Sequence, residues 1–153
     1  MPSVKRIQFE TLIHAPVETV WRVMLSPEGY KVWTAPFAEG SHFEGSWEQG
    51  SKILFLSPSG DGMVSEIEAN EPHRFISIRH LGFLANGVED FSSEAVRAWL
   101  PAYENYTFAA TPEGTRLTVD QDVTPEFENY LRDAWPKALE VLKRICEQTE
   151  AAT

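Results

Sequence analysis

Residues 125–145, PEFENYLRDAWPKALEVLKRI, carry the strongest helical pattern in the chain. Their apolar side chains recur at helical spacing and predict one apolar stripe on a long C-terminal helix. We expect Pro136 to bend this helix, because its ring removes one backbone donor and crowds the carbonyl one turn earlier. The predicted stripe consists of Phe127, Leu131, Ala134, Ala138, Leu142 and Ile145.

The N-terminal part predicts one strand followed by two short helices. Apolar and polar residues alternate over residues 4–13, as in a half-buried strand. Pro16 is suited to the first turn of the first short helix. Ser26 and Pro27 predict the cap and first turn of the second, which ends before Pro36.

The middle of the chain has the short alternating runs of an antiparallel meander, separated by Gly, Pro, Asn and Asp. Residues 82–101 are long for a hairpin loop, which indicates that they cover something, and residues 93–99 predict a short helical turn. Seven strands result, in a single domain over residues 1–153. The six strands predicted here are 43–47, 52–57, 63–69, 75–81, 103–110 and 115–123.

Several segments in this order resemble a known group of proteins. They are IHAPVETVW at 13–21, FEGSWEQG at 43–50, EP at 71–72, YENYTF at 103–108, GTRLTV at 114–119 and WPKALEVLK at 135–143. In these segments the chain resembles the START/SRPBCC helix-grip superfamily, most closely the branch named for the heat-shock chaperone ATPase activator (AHSA-like). The resemblance covers nearly the whole chain.

The resemblance implies an α+β helix-grip fold, START-like and similar to that of the birch pollen allergen. A curved seven-stranded antiparallel sheet would surround the long kinked C-terminal helix, with the two short helices after strand 1 closing one end. Related families bind sterols, lipids, plant hormones or polyketides between the sheet and the helix. The fold itself does not dictate a chemistry.

His80 and Glu104 are the candidate chemical groups. Strand alternation places His80 on the face of Ile76 and Ile78, and Glu104 on the face of Tyr106. Both side chains are therefore predicted to point inward from consecutive strands. A carboxylate beside an imidazole can act as an acid/base pair, or can orient the polar end of an apolar ligand.

The aromatic residues predict a ligand site. Five Trp, nine Phe and four Tyr supply large apolar area, and Tyr and Trp also offer a hydrogen-bond donor. One set is expected at the mouth of a pocket and the other on its inner wall. The mouth set is Trp33, Phe37, Trp99, Tyr103 and Trp135, and the wall set is Phe43, Phe55 and Tyr106.

Composition and charge restrict the partners. A net charge of -10 disfavours nucleic acid and anionic membrane surfaces. The four histidines lack the spacing of a zinc site, so neither a metal nor another cofactor is predicted. The N-terminal residues do not resemble a secretory signal and no apolar run reaches spanning length, so we expect no membrane insertion and a cytoplasmic location.

Three functional hypotheses remain open from the sequence. The first is a module that binds a small apolar or aromatic molecule. The second is an enzyme of the cyclase or dehydratase kind, with His80 and Glu104 exchanging protons with the substrate. The third is a chaperone-accessory or stress-response protein that interacts through its surface. A homodimer is also left open.

Overall fold

The computed structural model describes residues 4–151, and within this range the chain forms eight strands and four helices. The strands are β1 (Lys5–Ile13), β2 (His42–Gly45), β3 (Lys52–Leu56), β4 (Gly62–Glu71), β5 (Phe75–Ala85), β6 (Val88–Asp90), β7 (Ala102–Thr111) and β8 (Gly114–Val123). The helices are α1 (Val17–Leu25), α2 (Pro27–Trp33), α3 (Glu94–Trp99) and α4 (Pro125–Ala151). The predicted α+β class is confirmed.

Seven strands form one antiparallel sheet in the order β1-β8-β7-β5-β4-β3-β2. The eighth strand, β6, pairs only with β5 and lies outside this order. The seven predicted strands are all present, and β6 is an addition from the long loop. Its turn contains Asn86 and Gly87, both with positive φ (54° and 77°). Asn-Gly is a strong signal for a two-residue hairpin, so this strand could have been found in the sequence.

Helix α4 packs against β1, α1 and α2. Ala134, Ala138 and Leu142 of the predicted stripe are buried, but Phe127 is 47% exposed, so its assignment to the stripe was wrong. Phe127 lies in the first turn of α4, directly after the chain leaves β8. Pro136 lies inside the helix without ending it, and a bend at this proline stays a prediction. No helix among the described residues is both long and apolar enough to cross a bilayer.

The two short helices close one end of the sheet. Ser26 caps α2, because its hydroxyl oxygen accepts a hydrogen bond from the Gly29 N–H at 3.0 Å. Helix α2 approaches α1 so closely that a Cβ on Gly29 would lie 1.8 Å from the carbonyl oxygen of Val23. Trp21 packs edge-on against Phe108 of β7, with ring centroids 5.1 Å apart. This contact joins α1 to the sheet.

Candidate functional site

His80 of β5 and Glu104 of β7 meet inside the protein. They are only 1% and 8% exposed, and Nε2 of His80 lies 3.2 Å from Oε1 of Glu104. The two strands are direct neighbours, with Ile78 opposite Glu104 in the register. The inward direction predicted for both side chains is therefore confirmed.

Two further side chains extend this pair. The hydroxyl of Tyr106 donates a hydrogen bond to Oε2 of Glu104, and Oγ of Ser65 lies 2.7 Å from Nδ1 of His80. The result is a hydrogen-bonded chain across β4, β5 and β7, which we call the polar cluster. It consists of Ser65, His80, Glu104 and Tyr106.

Ser65 was missed by the sequence reasoning, although a signal for it exists. Alternation in β4 places Ser65 on the same face as Met63 and Ile67. Its alignment with His80 depends on a bulge, because the register shifts between Val64 and Ser65. Bulges of this kind re-aim side chains and are common near functional sites. The face of Ser65 could thus be predicted, but its partner could not.

The hydrogen bonds of the polar cluster are mutually consistent. A Glu104 carboxylate accepts from the Tyr106 hydroxyl and from Nε2–H of His80. With Nε2 donating to Glu104, Nδ1 is the nitrogen that can accept from the Ser65 hydroxyl. Burial raises the pKa of Tyr106 well above its ordinary value, and the nearby Glu104 charge raises it further. Burial also raises the pKa of Tyr30, and the Glu104 charge adds a smaller increase. Both phenols therefore remain protonated donors at neutral pH.

Trp99 of α3 covers one side of the polar cluster. Its ring stacks on His80 with centroids 5.1 Å apart and an interplanar angle of 19°. It also stacks on Phe83, at 4.8 Å and 17°. The long loop between β5 and β7 therefore does cover something, as its length indicated, and what lies beneath it is the His80 side chain.

The other predicted aromatic residues form a connected wall. Trp135 contacts Trp33 and Phe37 at centroid distances of 5.7 and 5.0 Å. Tyr30, which the sequence reasoning did not assign to the site, contacts Phe43 and Phe55 at 5.2 and 6.0 Å.

This wall joins the polar cluster at two points. The ring of Phe55 lies edge-on to His80 at 6.3 Å, and Tyr106 meets Trp135 at 6.1 Å. The structure thus places Phe55 and Tyr106 against the pair of titratable groups, and Phe43 opposite Phe55 on the neighbouring strand.

Trp33 and Trp135 are not at a mouth. They are 1% and 2% exposed, so the prediction that they line a pocket entrance is corrected to the core. The indole N–H of Trp33 donates to the Met24 carbonyl at 2.9 Å, and that of Trp135 donates to Oε1 of Gln121 at 2.6 Å. Because both donors find partners inside, both rings can be buried without an unsatisfied polar group.

Tyr103 is not brought to the polar cluster. It precedes Glu104 in β7, so its side chain projects from the opposite face of the sheet. Its strand partner is Arg79, whose guanidinium pairs with the carboxylates of Glu66 and Glu68 at 3.5 and 3.3 Å. Tyr103 therefore belongs to the outer surface.

Clefts open to solvent lie near both ends of the β5–β7 pair. One of about 240 Å³ is lined by Arg79, His80, Leu81, Leu100 and Pro101, and it lies where α3 joins β7, outside the fully buried side chain of His80. A larger groove of about 1120 Å³ lies at the other end of β5 and β7. It is formed by the β1–α1 connection, the β4–β5 turn and the β7–β8 hairpin, and no predicted site residue lines it.

Residues 4–151 contain no group of three or more His, Cys, Asp or Glu side chains arranged to hold a metal ion. The chemistry available at the site is therefore considered from the hydroxyls, the imidazole and the carboxylate of the polar cluster. These groups can accept or donate hydrogen bonds, and they can pass a proton along the chain that joins them.

Comparison with known proteins gives one family. Residues 14–147 match the family described as "Activator of Hsp90 ATPase homolog 1-like protein". No curated protein matches the sequence closely enough to count as a relative.

Solved structures share the fold. Protein MLL2253 from Mesorhizobium loti is 21% identical, with a TM-score of 0.71, over 95% of this chain and 98% of that one. An uncharacterised protein from Rhizobium leguminosarum is 14% identical, with a TM-score of 0.73, over 97% of both chains. ChR145 from Cytophaga hutchinsonii is 23% identical, with a TM-score of 0.67, over 97% of this chain and 99% of that one. At these identities the likeness is one of fold.

Proposed function

The chain belongs to the Activator of Hsp90 ATPase homolog 1-like family, and within that fold we propose that it binds a small apolar or aromatic molecule that carries a hydrogen-bonding group. The observation that carries this proposal is the buried polar cluster, in which Ser65, His80, Glu104 and Tyr106 are joined by hydrogen bonds. Around it lie aromatic rings from α2, α3, α4 and β3.

Stability does not require such a cluster. Burying polar and ionisable groups costs free energy that hydrogen bonds only partly recover, and well-packed apolar residues in the same volume are often as stabilising or more so. His80 and Glu104 nevertheless lie at the centre of an aromatic interior. A few convergent polar groups within apolar walls are the usual composition of a small-molecule site.

The polar cluster also has capacity left for a ligand. A carboxylate offers about four lone-pair positions, and Glu104 uses one on each oxygen, for His80 and for Tyr106. A hydroxyl or N–H on the ligand can therefore donate to Glu104 without breaking the existing hydrogen bonds. The aromatic wall would hold the rest of the molecule through apolar contact.

Ligand binding can be measured directly. Native mass spectrometry of the purified protein would detect a co-purified molecule, and thermal shift would screen sterols, fatty acids, flavonoids and polyketide-like aromatics. We expect concentration-dependent stabilisation by at least one class, following the linkage between binding and unfolding. A protein that is stabilised by none of the four classes and carries no co-purified molecule would contradict the proposal.

The variant Glu104→Gln tests whether the Glu104 charge contributes to ligand binding. It keeps the shape of the side chain but removes the charge, and it should weaken binding about tenfold, since hydrogen bonds to charged groups contribute about 1.5 to 3 kcal/mol. Glu113→Gln is the control, because Glu113 is an exposed residue of the β7–β8 turn. Equal affinities for the two variants would show that the Glu104 charge does not hold the ligand.

A second candidate is an acid/base enzyme of the cyclase or dehydratase kind. The hydrogen bond between His80 and Glu104 favours it, because such a pair can take a proton from a carbon next to a carbonyl and return it. Exchange of the α-protons of 2-tetralone in deuterated water, followed by NMR, tests this reaction. Exchange should exceed the protein-free rate and fall to that rate in His80→Gln. Wild-type exchange at the protein-free rate would rule this candidate out for enolisable ketones.

A further inference from the structure

Residues 91–101, which we call the lid segment, connect β6 to β7 and contain α3. Their hydrogen bonds are local: the N–H groups of Ser92 and Ser93 donate to Oδ1 of Asp90, and that of Val96 donates to Oγ of Ser93. Within residues 4–151, no hydrogen bond or ion pair joins the lid segment to any strand other than β6, or to another helix. Apolar packing holds it in place.

The buried side chains of α3 are Val96 and Trp99. Trp99 lies over two rings of β5, with interplanar angles of 19° to His80 and 17° to Phe83. Because the register of β5 against β4 shifts between Gly82 and His80, His80 and Phe83 can both face the indole. The indole is thus nearly parallel to both rings, which we together call the platform.

Three other indoles contact the site. That of Trp47, which meets Phe43 and Phe55, has a buried N–H without a hydrogen-bond partner among the described residues. Trp33 and Trp135 each donate their N–H to a fixed acceptor inside the protein. The N–H of Trp99 has no hydrogen-bond partner in the part of the chain that the structure describes. Its position is therefore specified by stacking and burial, and a different flat ring could replace it without breaking a hydrogen bond.

A surface cleft lies beside the lid segment. The cleft of about 240 Å³ is lined by Leu100 and Pro101, at the end of that segment, and by the backbone of His80, whose side chain is fully buried. Outward movement of the lid segment would widen this cleft toward the imidazole ring. A segment with few buried contacts and only local hydrogen bonds is of the kind that opens locally at low free energy.

From these contacts we infer that Trp99 occupies the place of a ligand ring, and that a flat aromatic molecule with at least two fused rings displaces it from the platform of His80 and Phe83. The inference rests on the proposed binding function and names the ligand class for that site. Opening of the lid segment admits the molecule, and its hydroxyl or N–H group donates to Glu104, next to His80.

The geometry selects flat molecules over saturated ones. Both platform rings lie within 20° of the indole plane, and their centroid distances fall in the range of about 4.5 to 7 Å that is typical of stacked aromatic pairs. A saturated bicyclic molecule of equal size is puckered and cannot stack closely on both rings. Planarity is thus the property that the platform recognises.

NMR on the wild-type protein tests displacement. The five tryptophans give five indole N–H signals, and Trp99→Phe assigns that of Trp99. Addition of 2-naphthol should move the Trp99 signal, while those of Trp33 and Trp135 move less. Decahydro-2-naphthol, which has the same carbon skeleton and hydroxyl group without flat rings, should leave the Trp99 signal in place. Binding of 2-naphthol without a change at Trp99 would overturn the inference.

Calorimetry on a variant gives a second test. Trp99→Ala should bind 2-naphthol at least threefold more tightly than the wild type, because no ring has to leave the platform first. Phe91→Ala is the matched control, since Phe91 lies in the same segment but is 47% exposed, and its affinity should stay at the wild-type value. Unchanged or weaker binding by a folded Trp99→Ala protein would also overturn the inference. If the Trp99→Ala variant does not fold, the NMR experiment on the wild-type protein alone tests the inference.

The two proposals fail in different ways. If fatty acids or decahydro-2-naphthol bind and 2-naphthol does not, the binding function stands and the platform inference falls. If 2-naphthol binds to Trp99→Ala but not to the wild type, the molecule only fills the cavity that the substitution leaves, and the platform inference falls. If no compound binds to either protein, both proposals fall.

Discussion

Oγ of Ser65 lies 2.7 Å from Nδ1 of His80, inside the protein and on the neighbouring strand. This hydrogen bond occupies the imidazole nitrogen that does not face Glu104, so both nitrogens of a fully buried ring have partners. The ring is thereby held in one orientation, with Nε2 toward the carboxylate. A second residue that fixes the orientation of an imidazole is a common feature of sites that use histidine.

Ser65→Ala should destabilise the protein by about 1 to 3 kcal/mol, because it leaves a buried ring nitrogen without a hydrogen bond. Urea unfolding at neutral pH measures this change. Ser59→Ala serves as the control, since Ser59 lies in the exposed β3–β4 turn, and its effect should stay within about 0.5 kcal/mol. Equal effects of the two substitutions would show that the hydrogen bond to His80 does not contribute.

Alkaline pH should destabilise the protein through its buried phenols. Tyr106 has a raised pKa in the folded state, so above about pH 10 the unfolded chain loses the phenol proton while the folded one keeps it. The stability that this group contributes is complete below about pH 10 and falls as the pH rises above it. Tyr30 acts in the same direction, as does Cys146, whose pKa is raised to about 12 by burial.

Tyr106→Phe isolates the first of these groups. Urea unfolding at several pH values between about 8 and 11.5 should give a shallower decline for the variant above about pH 10, by up to about 1.4 kcal/mol per pH unit. Tyr30 and Cys146 are present in both proteins, so their effects cancel in the comparison. Parallel curves for the two proteins would contradict the raised pKa of Tyr106.

Two substitutions in α4 test which residues of the predicted stripe reach the core. Leu142 is fully buried and Phe127 is 47% exposed. Leu142→Ala should therefore cost about 2 to 5 kcal/mol in the free energy of unfolding, and Phe127→Ala about 0.5 kcal/mol or less. The same urea titration measures both. A large decrease in the free energy of unfolding for Phe127→Ala would show that Phe127 packs against the core with the rest of the predicted stripe.

Gly29→Ala tests the close approach of α1 and α2. A Cβ at this position would lie 1.8 Å from the backbone oxygen of Val23, so the helices have to separate, at a cost of about 1 to 3 kcal/mol or more. Lys31→Ala is the control in the same helix, because Lys31 is exposed. Unchanged thermal unfolding of Gly29→Ala would show that α2 can shift freely.

Periodicity in the sequence predicted the order of seven strands and the long helix and the direction of single side chains, whereas the helix-grip arrangement was implied by the resemblance to a known superfamily. Alternation in β5 and β7 placed His80 and Glu104 on the inner face, since a side chain two residues along a strand returns to the same face. The helical spacing in α4 identified Ala134, Ala138 and Leu142. It failed at Phe127, because spacing cannot show where along a helix the packing partners end.

What the sequence determined by itself is which face of each element points inward, because this depends on local backbone geometry. Only the tertiary structure decided which inward residues meet. The bulge that aligns Ser65 with His80, the burial of Trp33 and Trp135 in the core, and the position of Trp99 over His80 and Phe83 all depend on contacts between distant segments. Such contacts form only when the sheet and helices close around one another, at the scale of single side chains in a close-packed interior.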